Sequence, residues 1–390
     1  MDKKIIIHGE DLTSYKERAL DCCYKLADWI LACQRPEHQA VPETGSFYFD
    51  VDVDNTPYYA PNWSLAFGLM GLLAMYKESG AEKYRSAALR VARYLKTLQI
   101  FDPFHKDDYG AFREYSAQTP WCYTRDALSA AWGMVELYRE TGEQEYLDRA
   151  LLWYDWFRRK GMDPYGWPLW GVQFDPAFAE NCTINLHNEL HGCFHGGSLN
   201  FFYQLFKTTK NPEHTGAFYL NIADRFINEI QQEDGFFRTT LAETGKLREN
   251  DPQGGLHRGN DDLGTLGLLG VYRLTGEQKY LDSIRKFLKA AFGKQQPDGS
   301  FETYCAANPV ILNILFETNG LLDDLQLPPH AIGKLLDHLF SRQVSEPDNP
   351  LRDGGLDEYL NGHICARSAC YAMIVLQKVF GKGNNFLSAR

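Results

Sequence analysis

The sequence lacks any apolar run approaching the roughly 20 residues that a membrane-spanning helix needs, and the apolar stretch in residues 1–8 is too short for a signal peptide. It also lacks an excess of positive charge: its formal net charge is −11, which argues against a nucleic-acid partner. Its nine cysteines lack the compact spacing of a disulfide framework. These absences predict a cytoplasmic protein with free thiols and with neither a membrane nor a nucleic acid as partner.

The chain contains an internal repeat, which indicates its architecture before any local assignment. Short glycine-centred loops recur about every 60 residues, at Gly45, Gly110, Gly166, Gly235, Gly299 and Gly355. A second pattern runs in phase, since the segment Leu137–Asp148 is closely repeated as Val271–Asp282. No linker or change of composition divides the 390 residues. Six helical hairpins in a single domain spanning residues 1–390 are therefore predicted.

Apolar residues at helical spacing predict twelve helices, over residues 12–34, 62–79, 81–99, 124–141, 143–160, 196–209, 214–232, 261–275, 277–293, 308–322, 329–343 and 364–380. Gly142 and Gly276 fit helix ends that are joined by short links. The opposite connections include five long loops, and loops of such length are usually functional. They cover residues 35–61, 100–123, 161–195, 233–260 and 344–363.

The alternation of short links and long loops would place all five long loops at one end of the molecule. We therefore predict an all-α fold, a closed (α/α)6 barrel, with inner helices starting near residues 62, 124, 196, 261, 308 and 364. An open solenoid of stacked hairpins is the alternative. Six hairpins suit ring closure, and the clustering of polar and aromatic residues in one set of loops favours a closed site.

The start of the second inner helix carries Arg125 and Asp126, shortly after Trp121 and Tyr123. Asp126 is a candidate general acid or base, with its pKa set by burial beside the two aromatic rings. Arg125 is suited to hold a substrate carboxylate through two hydrogen bonds. The structural alternative is that Thr124 or Asp126 caps the helix and Arg125 is its ion-pair partner.

The start of the fourth inner helix carries more polar groups than a helix cap needs: His257, Arg258, Asn260, Asp261 and Asp262. Consecutive helical side chains point about 100° apart, so at most one of the two aspartates should face a central cavity. We take His257 and the two aspartates as candidate catalytic residues, and Arg258 and Asn260 as candidate substrate-binding residues. Capping and surface charge are the alternative.

Three residues before the third inner helix alternate as metal ligands on an extended segment would: His191, Cys193 and His195. Their spacing matches no structural zinc signature, so substrate hydrogen bonding by His191 or His195 is favoured. Neither a metal nor another cofactor is expected.

Further candidates precede the fifth and sixth inner helices. Glu302 is a candidate substrate-binding residue, and His363 forms a candidate substrate-facing pair with Arg367 one turn later. Cys305 and Cys365 precede adjacent helices and are either reactive or metal-binding thiols, or buried side chains that behave as small apolar groups.

Aromatic residues near the same helix starts provide candidate walls for a sugar site, because sugar rings present apolar faces to aromatic rings. Tyr59 and Trp63 precede and open the first inner helix, and Trp170 lies in a long loop. With Trp121 and Tyr123 they are candidate substrate-binding residues. Core packing is the alternative.

The six-hairpin plan, the Tyr-Arg-x-Thr-Gly helix ends and the glycine-centred loops resemble the (α/α)6-barrel carbohydrate-active enzymes. One similar group is the unsaturated glucuronyl hydrolases of glycoside hydrolase families 88 and 105. Arg258-Gly259, leading to Tyr272–Gly276, fits their fourth inner helix, and Asp126 fits the aspartate that opens their second. Their catalytic aspartate at the third inner helix has no counterpart, since His195 and two glycines stand there.

The second similar group is the N-acylglucosamine 2-epimerases and related sugar isomerases. Their essential histidines at the fourth and sixth inner helices are matched by His257 and His363. Their arginine in the first inner helix is absent, because Trp63-Ser-Leu-Ala replaces it. This resemblance implies proton transfer on opposite faces of a ring-opened sugar.

Our leading hypothesis is a glycoside hydrolase that acts exo on short oligosaccharides containing uronic acid. Arg125 and Arg258 would hold the carboxylate, and one of Asp126, Asp261 and Asp262 would be the general acid. The alternatives are a sugar epimerase using His257 and His363, and a polysaccharide lyase. The expected partner is an oligosaccharide or monosaccharide, and assembly into a homo-oligomer is compatible with the sequence.

Overall fold

The computed structural model of the protein describes residues 4–35, 44–163, 166–174, 189–190, 192–238, 240–241, 262–301, 305 and 307–390. Within these ranges the chain forms twelve α-helices, most of them within a few residues of the predicted positions. They are α1 (Lys16–Cys33), α2 (Asn62–Ser79), α3 (Glu82–Leu98), α4 (Thr124–Thr141), α5 (Gln144–Lys160), α6 (Gly192–Thr209), α7 (Ala217–Arg225), α8 (Asp262–Thr275), α9 (Gln278–Phe292), α10 (Ala307–Thr318), α11 (Ala331–Ser341) and α12 (Ala366–Phe380). None of the described helices is both long and apolar enough to cross a membrane.

The even-numbered helices form a closed inner ring. In chain order each contacts the next, from α2 through α12, and α12 returns to contact α2. The odd-numbered helices pack outside, with α3, α5, α7, α9 and α11 each against the preceding inner helix and α1 against α12 and α2. The predicted (α/α)6 barrel is therefore confirmed, and the open solenoid is wrong.

Burial explains why the two kinds of helix alternate. In α2 every residue from Asn62 to Met75 is buried, because the helix has neighbours on all sides. In α3 the buried positions recur every three or four residues along one face, and the opposite face is polar. The inner ring is thus apolar all round, and the outer ring is amphipathic.

The described loops add nine short strands, all paired antiparallel. They are β1 (Ile6–Ile7), β2 (Glu10–Asp11), β3 (Tyr48–Val51), β4 (Pro57–Tyr59), β5 (Trp121–Tyr123), β6 (Gly171–Gln173), β7 (Glu189–Leu190), β8 (Thr240–Leu241) and β9 (Ile364–Cys365). The order β4-β3-β9 joins the loop before α2 to the segment before α12. This sheet connects the first and last repeats at the N-terminal ends of the inner helices.

A glutamine at the end of an outer helix connects each of five repeats to the next. After α3, the Nε2 amide of Gln99 donates to the carbonyl oxygen of Gly110 in its own loop at 2.9 Å and to that of Arg149 in α5 at 3.0 Å. We call this arrangement the glutamine clamp. Gln34, Gln231, Gln295 and Gln343 make the corresponding pairs of bonds, and Gln343 reaches Cys22 of α1, which closes the ring.

The repeated glycines allow the clamp to form. Gly110 has φ 96°, in the left-handed region, and a Cβ atom there would lie 2.6 Å from the carbonyl oxygen of Leu152 in α5. The same close approach to the next outer helix recurs at Gly45, Gly235, Gly299 and Gly354. The glycine-centred repeat therefore marks where each loop turns back against the neighbouring hairpin.

The structure corrects three details of the sequence interpretation. The equivalent glycine of the sixth repeat is Gly354, with φ 84°, and not Gly355. The predicted helix over 214–232 is divided, because Gly216 separates the 3-10 turn Pro212–Thr215 from α7, and a π-helical turn follows at Phe226–Ile230. The helix predicted over 308–322 ends at Thr318, shortly before Gly320 takes a left-handed conformation.

The C-terminal tail fills the opposite end of the barrel. Phe386, Leu387, Ser388 and Ala389 are buried. The Leu387 carbonyl oxygen accepts hydrogen bonds from Asn313 of α10 at 3.0 Å and from Lys378 of α12 at 2.7 Å, and Gln204 of α6 donates to the Ser388 carbonyl oxygen. The tail therefore ties three inner helices together near their C-terminal ends.

Replacing Gly110 by alanine should destabilise the fold more than replacing Gly142. Both glycines have positive φ, but a Cβ at Gly142 would meet nothing within 4 Å. Gly142→Ala should cost about 1–2 kcal/mol for the left-handed backbone, and Gly110→Ala about 1–3 kcal/mol more for displacing α5. Urea unfolding of both variants checks this; equal losses would show that the close approach does not limit stability.

Candidate active site

The N-terminal ends of α2, α4 and α12 bring four of the predicted site residues together. Trp63 lies in the first turn of α2, Arg125 and Asp126 in the first turn of α4, and Arg367 in the first turn of α12. Because α12, α2 and α4 are neighbours in the closed ring, residues far apart in sequence meet at one wall of the barrel.

Trp63 contacts both arginines of this wall. The guanidinium carbon of Arg125 lies 4.9 Å from the centre of a Trp63 ring, and that of Arg367 lies 5.4 Å from it. At such distances the ring attracts each cation. Arg125 also donates to Asp126 at 3.3 Å and to the Tyr371 hydroxyl at 3.2 Å. Two positive charges are thus held against one aromatic surface.

Asp126 has a second carboxyl partner, Glu114, which the sequence analysis did not identify. Glu114 is 1% exposed, and its Oε2 accepts a hydrogen bond from the Tyr123 backbone at 2.9 Å. Its carbonyl oxygen accepts from the Asn62 backbone at 2.9 Å, so the residue is fixed between β5 and the start of α2. Its side chain is hydrogen-bonded to that of Asp126.

Burial and mutual repulsion favour the state in which the two carboxyl groups hold one proton between them. Burial raises the pKa of Glu114 well above its ordinary value, and the adjacent charge of Asp126 raises it further. Burial also raises the pKa of Asp126, but the charge of Arg125 and the hydrogen bond from Glu114 oppose this shift. The proton therefore resides first on Glu114. This proton accounts for the buried Oε1 atom of Glu114, to which no N–H or O–H group among the described residues donates.

Arg367 is paired with another buried carboxylate, Glu358. The Nη1 of Arg367 lies 3.7 Å from the Oε1 of Glu358, and the Ser368 hydroxyl donates to the Oε2 of Glu358. The guanidinium carbon of Arg367 also lies 5.6 Å from the centre of the Phe49 ring. Arg367 therefore has an acidic partner behind it and aromatic partners beside it.

His363 faces Asp50 of β3. The Nδ1 of His363 lies 3.6 Å from Oδ1 of Asp50, and both side chains are partly buried. Burial raises the pKa of Asp50, while His363 and Arg367 oppose this rise. Asp50 is therefore the partner of His363, and Arg367 acts on the same carboxyl group. The pairing of His363 with Arg367 itself stays a prediction.

The predicted aromatic residues lie around this wall. Trp121 packs edge-on against Tyr123, with ring centres 5.0 Å apart, and against the exposed Tyr115 at 5.8 Å. Tyr59 is about half exposed, and its hydroxyl accepts a hydrogen bond from Arg35 at 3.3 Å. Trp170 is partly exposed, and its carbonyl oxygen accepts from the Thr124 backbone at 3.0 Å, which fixes the start of α4.

Glu114 and Glu358, which the sequence motifs did not indicate, stand at a fixed distance from the repeat glycine. In five repeats the residue two positions after the repeat glycine pairs with the residue that follows the outer helix, as Phe112 pairs with Gln99. In three repeats the residue four positions after the glycine contacts the start of an inner helix, as Glu114 contacts Asp126. Among described residues these positions hold Phe49, Glu114, Trp170 and Glu358.

Several predicted residues cannot be placed. His191, His257, Arg258, Asn260, Asp261 and Glu302 lie outside the described residues, as do the side chains of His195 and Asp262. Within the described ranges, no three His, Cys, Asp or Glu side chains are grouped as metal ligands. Cys305 and Cys365 are buried free cysteines, and burial raises the pKa of both thiols, which disfavours a reactive thiolate.

Neither a protein-family model nor a curated protein sequence matches the chain. Its fold is shared with solved structures. A family 76 glycoside hydrolase (mannosidase) of Bacteroides thetaiotaomicron is 16% identical, with a TM-score of 0.67 over 93% of this chain and 99% of its own. The cellobiose 2-epimerase of Bacillus thermoamylovorans is 14% identical, with a TM-score of 0.69 over 93% and 99%.

A third similar structure is an inactive variant of the α-1,6-mannanase of a Salegentibacter species in complex with α-1,6-mannotriose. It is 14% identical, with a TM-score of 0.63 over 93% of this chain and 98% of its own. At these identities the similarity establishes the (α/α)6 barrel, and the barrels concerned include both glycosidases and a sugar epimerase.

Replacing Glu114 by glutamine should change how stability depends on pH. The pKa of Glu114 is higher in the folded protein than its ordinary value of 4.5, so wild-type stability falls as the pH rises above that value. Glutamine keeps a donor for Asp126 and cannot ionise. The free energy of unfolding of the wild type should fall, relative to that of Glu114→Gln, by up to about 1.4 kcal/mol per pH unit.

Urea unfolding between pH 5 and 8 measures this difference. Glu233→Gln, at an exposed turn, provides the matched control. Parallel stability curves for wild type and Glu114→Gln would show that Glu114 is already ionised in the folded protein.

Proposed function

We propose that the protein is a carbohydrate-active enzyme that hydrolyses glycosidic bonds at the ends of short oligosaccharides containing uronic acid. The observation that carries this proposal is the buried pair of carboxyl groups, Glu114 and Asp126, beside Arg125 and Trp63. Glycosidases need one carboxyl group that stays protonated near neutral pH. Here burial and the adjacent carboxyl group both raise the pKa of Glu114, which favours a protonated pair near neutral pH.

Asp126 is the general acid of this proposal: the shared proton moves to it from Glu114 through their hydrogen bond, and Asp126 passes it to the leaving group. Its side chain is 14% exposed and opens α4, whereas Glu114 lies behind it and is buried, so Asp126 is the member that reaches substrate. The hydrogen bond between them leaves no room for a sugar or a water molecule. The pair therefore acts as one acid unit, and the second carboxylate of a glycosidase mechanism must come from another helix.

Asp261 or Asp262, at the start of α8, is the proposed source of that carboxylate. The Salegentibacter mannanase is described as inactive when two consecutive aspartates are replaced, and these two residues form a consecutive pair at an inner-helix start. His257, Arg258 and Asn260 precede them and are proposed to position the substrate or a water molecule.

The substrate class follows from the charges and rings of the described wall. Arg125 and Arg367 against Trp63 combine cations with an aromatic face, which suits a sugar that bears a carboxylate. The C-terminal tail fills the far end of the barrel, which supports a pocket with one mouth that takes a chain end. Exo action on an acidic oligosaccharide is therefore proposed.

Replacing Asp126 by asparagine should lower kcat by about 10²–10⁴-fold on a uronic-acid disaccharide, because the leaving group is no longer protonated. The loss should be much smaller on an aryl uronide with a 2,4-dinitrophenyl leaving group, which departs without a proton. Release of reducing sugar and of dinitrophenol gives the two rates. Asp54→Asn, at an exposed turn, is the matched control. Equal losses on both substrates would contradict the role of general acid.

A second candidate function, a sugar epimerase, is favoured by one specific observation. His363 lies beside Asp50 at the start of α12, and a histidine oriented by a carboxylate is suited to proton transfer. The similarity in fold to a cellobiose 2-epimerase is in keeping with this candidate. His257 would be the second proton carrier.

If the protein is an epimerase, incubation of a reducing disaccharide in D₂O should exchange the hydrogen at C2 without cleavage of the glycosidic bond. His363→Ala should then lower interconversion by about 10²-fold or more, because one proton carrier is lost. Proton NMR follows both exchange and cleavage. His105→Ala is a matched control, because His105 pairs with Asp102 at 3.1 Å in another loop. Full activity of His363→Ala would exclude this candidate.

A further inference from the structure

Three aromatic side chains form a contiguous cluster beside the buried carboxyl pair. The ring centre of Trp121 lies 5.8 Å from that of Tyr115 and 5.0 Å from that of Tyr123, and both contacts are edge-on. Tyr115 is 40% exposed, and Trp121 and Tyr123 are partly exposed. We call these three side chains the aromatic platform. An aromatic surface that stays in contact with solvent can bind the apolar face of a sugar ring.

Contacts within the protein hold the platform in place. The Glu114 backbone amide donates to the Trp121 carbonyl oxygen at 3.1 Å, and the Tyr94 hydroxyl of α3 donates to the Tyr115 carbonyl oxygen at 2.6 Å. Strand β6 pairs with β5 along its whole length. Because side chains alternate along a strand, Trp121 and Tyr123 share one face of β5, and Cys122 is buried on the other. The platform is therefore a fixed surface.

Asp126 connects this platform with a second aromatic surface. Through its bond with Arg125 at 3.3 Å it is linked to Trp63, whose ring centre lies 4.9 Å from the Arg125 guanidinium carbon. Through its bond with Glu114 it is linked to the segment that carries Tyr115. In the described part of the chain, the ring contacts of Trp63 involve none of the platform rings. The carboxyl pair thus lies between two separate aromatic surfaces.

A general acid protonates the oxygen that joins two sugars, so one sugar lies on each side of it. The side with Arg125 and Trp63 suits the sugar that bears a carboxylate. On the other side, burial raises the pKa of the Tyr115 hydroxyl, and the charges of Glu114 and Asp126 raise it further. The same negative charge disfavours a second carboxylate beside Tyr115, whereas a neutral sugar ring is not repelled.

We propose that the aromatic platform binds the neutral sugar that leaves when the glycosidic bond is cleaved. This inference rests on the proposed function, because it assigns the direction in which that substrate crosses Asp126. The acidic end lies against Trp63, and the departing sugar lies on Trp121. Tyr115, which the sequence analysis did not identify, becomes a residue that determines specificity for the leaving group.

The kinetic test compares two uronides that differ only in the leaving group. One is a disaccharide of D-glucuronate linked to D-glucose, and the other is methyl D-glucuronide, whose methanol is too small to cover the platform; both anomers of each are used. Trp121→Ala should lower kcat/KM for the disaccharide about tenfold and change that for the methyl glucuronide less than twofold. Trp121→Phe keeps a ring and should recover most of the loss. Equal losses on both substrates would overturn the assignment to the leaving sugar.

Equilibrium binding tests the platform without cleavage. Ligand-observed NMR titration uses D-glucose, D-galactose and D-mannose, and Trp121→Ala should weaken the tightest of the three about fivefold or more. Phe104→Ala is the matched control, because Phe104 lies in the same long loop and is 93% exposed. It should leave binding unchanged.

Two results of this titration would overturn the platform as a sugar site: wild-type protein that binds none of the three sugars, and Trp121→Ala that binds them as tightly as wild type. The proposed hydrolysis fails by a different result, namely the absence of cleavage of either uronide by wild-type protein. Binding of a neutral sugar that depends on Trp121 would remain in that case.

Discussion

The ring depends on a side-chain amide that binds two backbone carbonyl groups from successive repeats. In the clamp of Gln99, one Nε2 group satisfies Gly110 in its own loop and Arg149 in the next outer helix. Leaving the Gly110 carbonyl group without a donor in a crowded interior would cost about 1–3 kcal/mol, whereas the Arg149 carbonyl group lies inside α5 and accepts the clamp in addition to its helical bond. Each clamp therefore sets the spacing of two outer helices and the path of the loop between them.

That path determines which side chains enter the barrel. Once the glycine has turned the loop back, the fourth residue after it contacts the start of an inner helix: Phe49 contacts Trp63, Glu114 contacts Asp126 and Glu358 contacts Arg367. This residue differs among repeats that all form the clamp, as Phe49, Glu114 and Glu358 show. The scaffold and the site are thus built from neighbouring but separate positions of one repeat.

The sequence predicted the twelve helices, the closed ring and the position of Trp63, Arg125, Asp126 and Arg367 at the starts of inner helices, because these follow from periodicity and from the order of repeats. It did not predict Glu114 or Glu358. An acidic residue in a loop resembles a solvated residue until the loop register is known, and that register depends on backbone contacts with the next hairpin.

The sixth repeat shows the difficulty most clearly. Two consecutive glycines, Gly354 and Gly355, left the register ambiguous by one residue, and only the approach of Gly354 to the Lys25 carbonyl oxygen resolves it. The buried C-terminal tail was missed for a similar reason. Its apolar residues are too few to form a pattern, and their partners on α6, α10 and α12 are distant in sequence.

The third repeat differs from the other five in the residues that join its loop to the end of its outer helix. Met162 and Pro168 pair where other repeats have a glutamine and a large apolar residue, and a Cβ at Gly166 would meet only Asn221 at 4.0 Å. In the described part of the chain, no glutamine clamp therefore links α5 to α7. The five clamps join the outer helices in one open series, which begins at α7 and ends at α5. A circular permutant with its new termini between α5 and α7 would keep all five links, whereas a cut between a clamp glutamine and its repeat glycine would open the loop that the clamp closes.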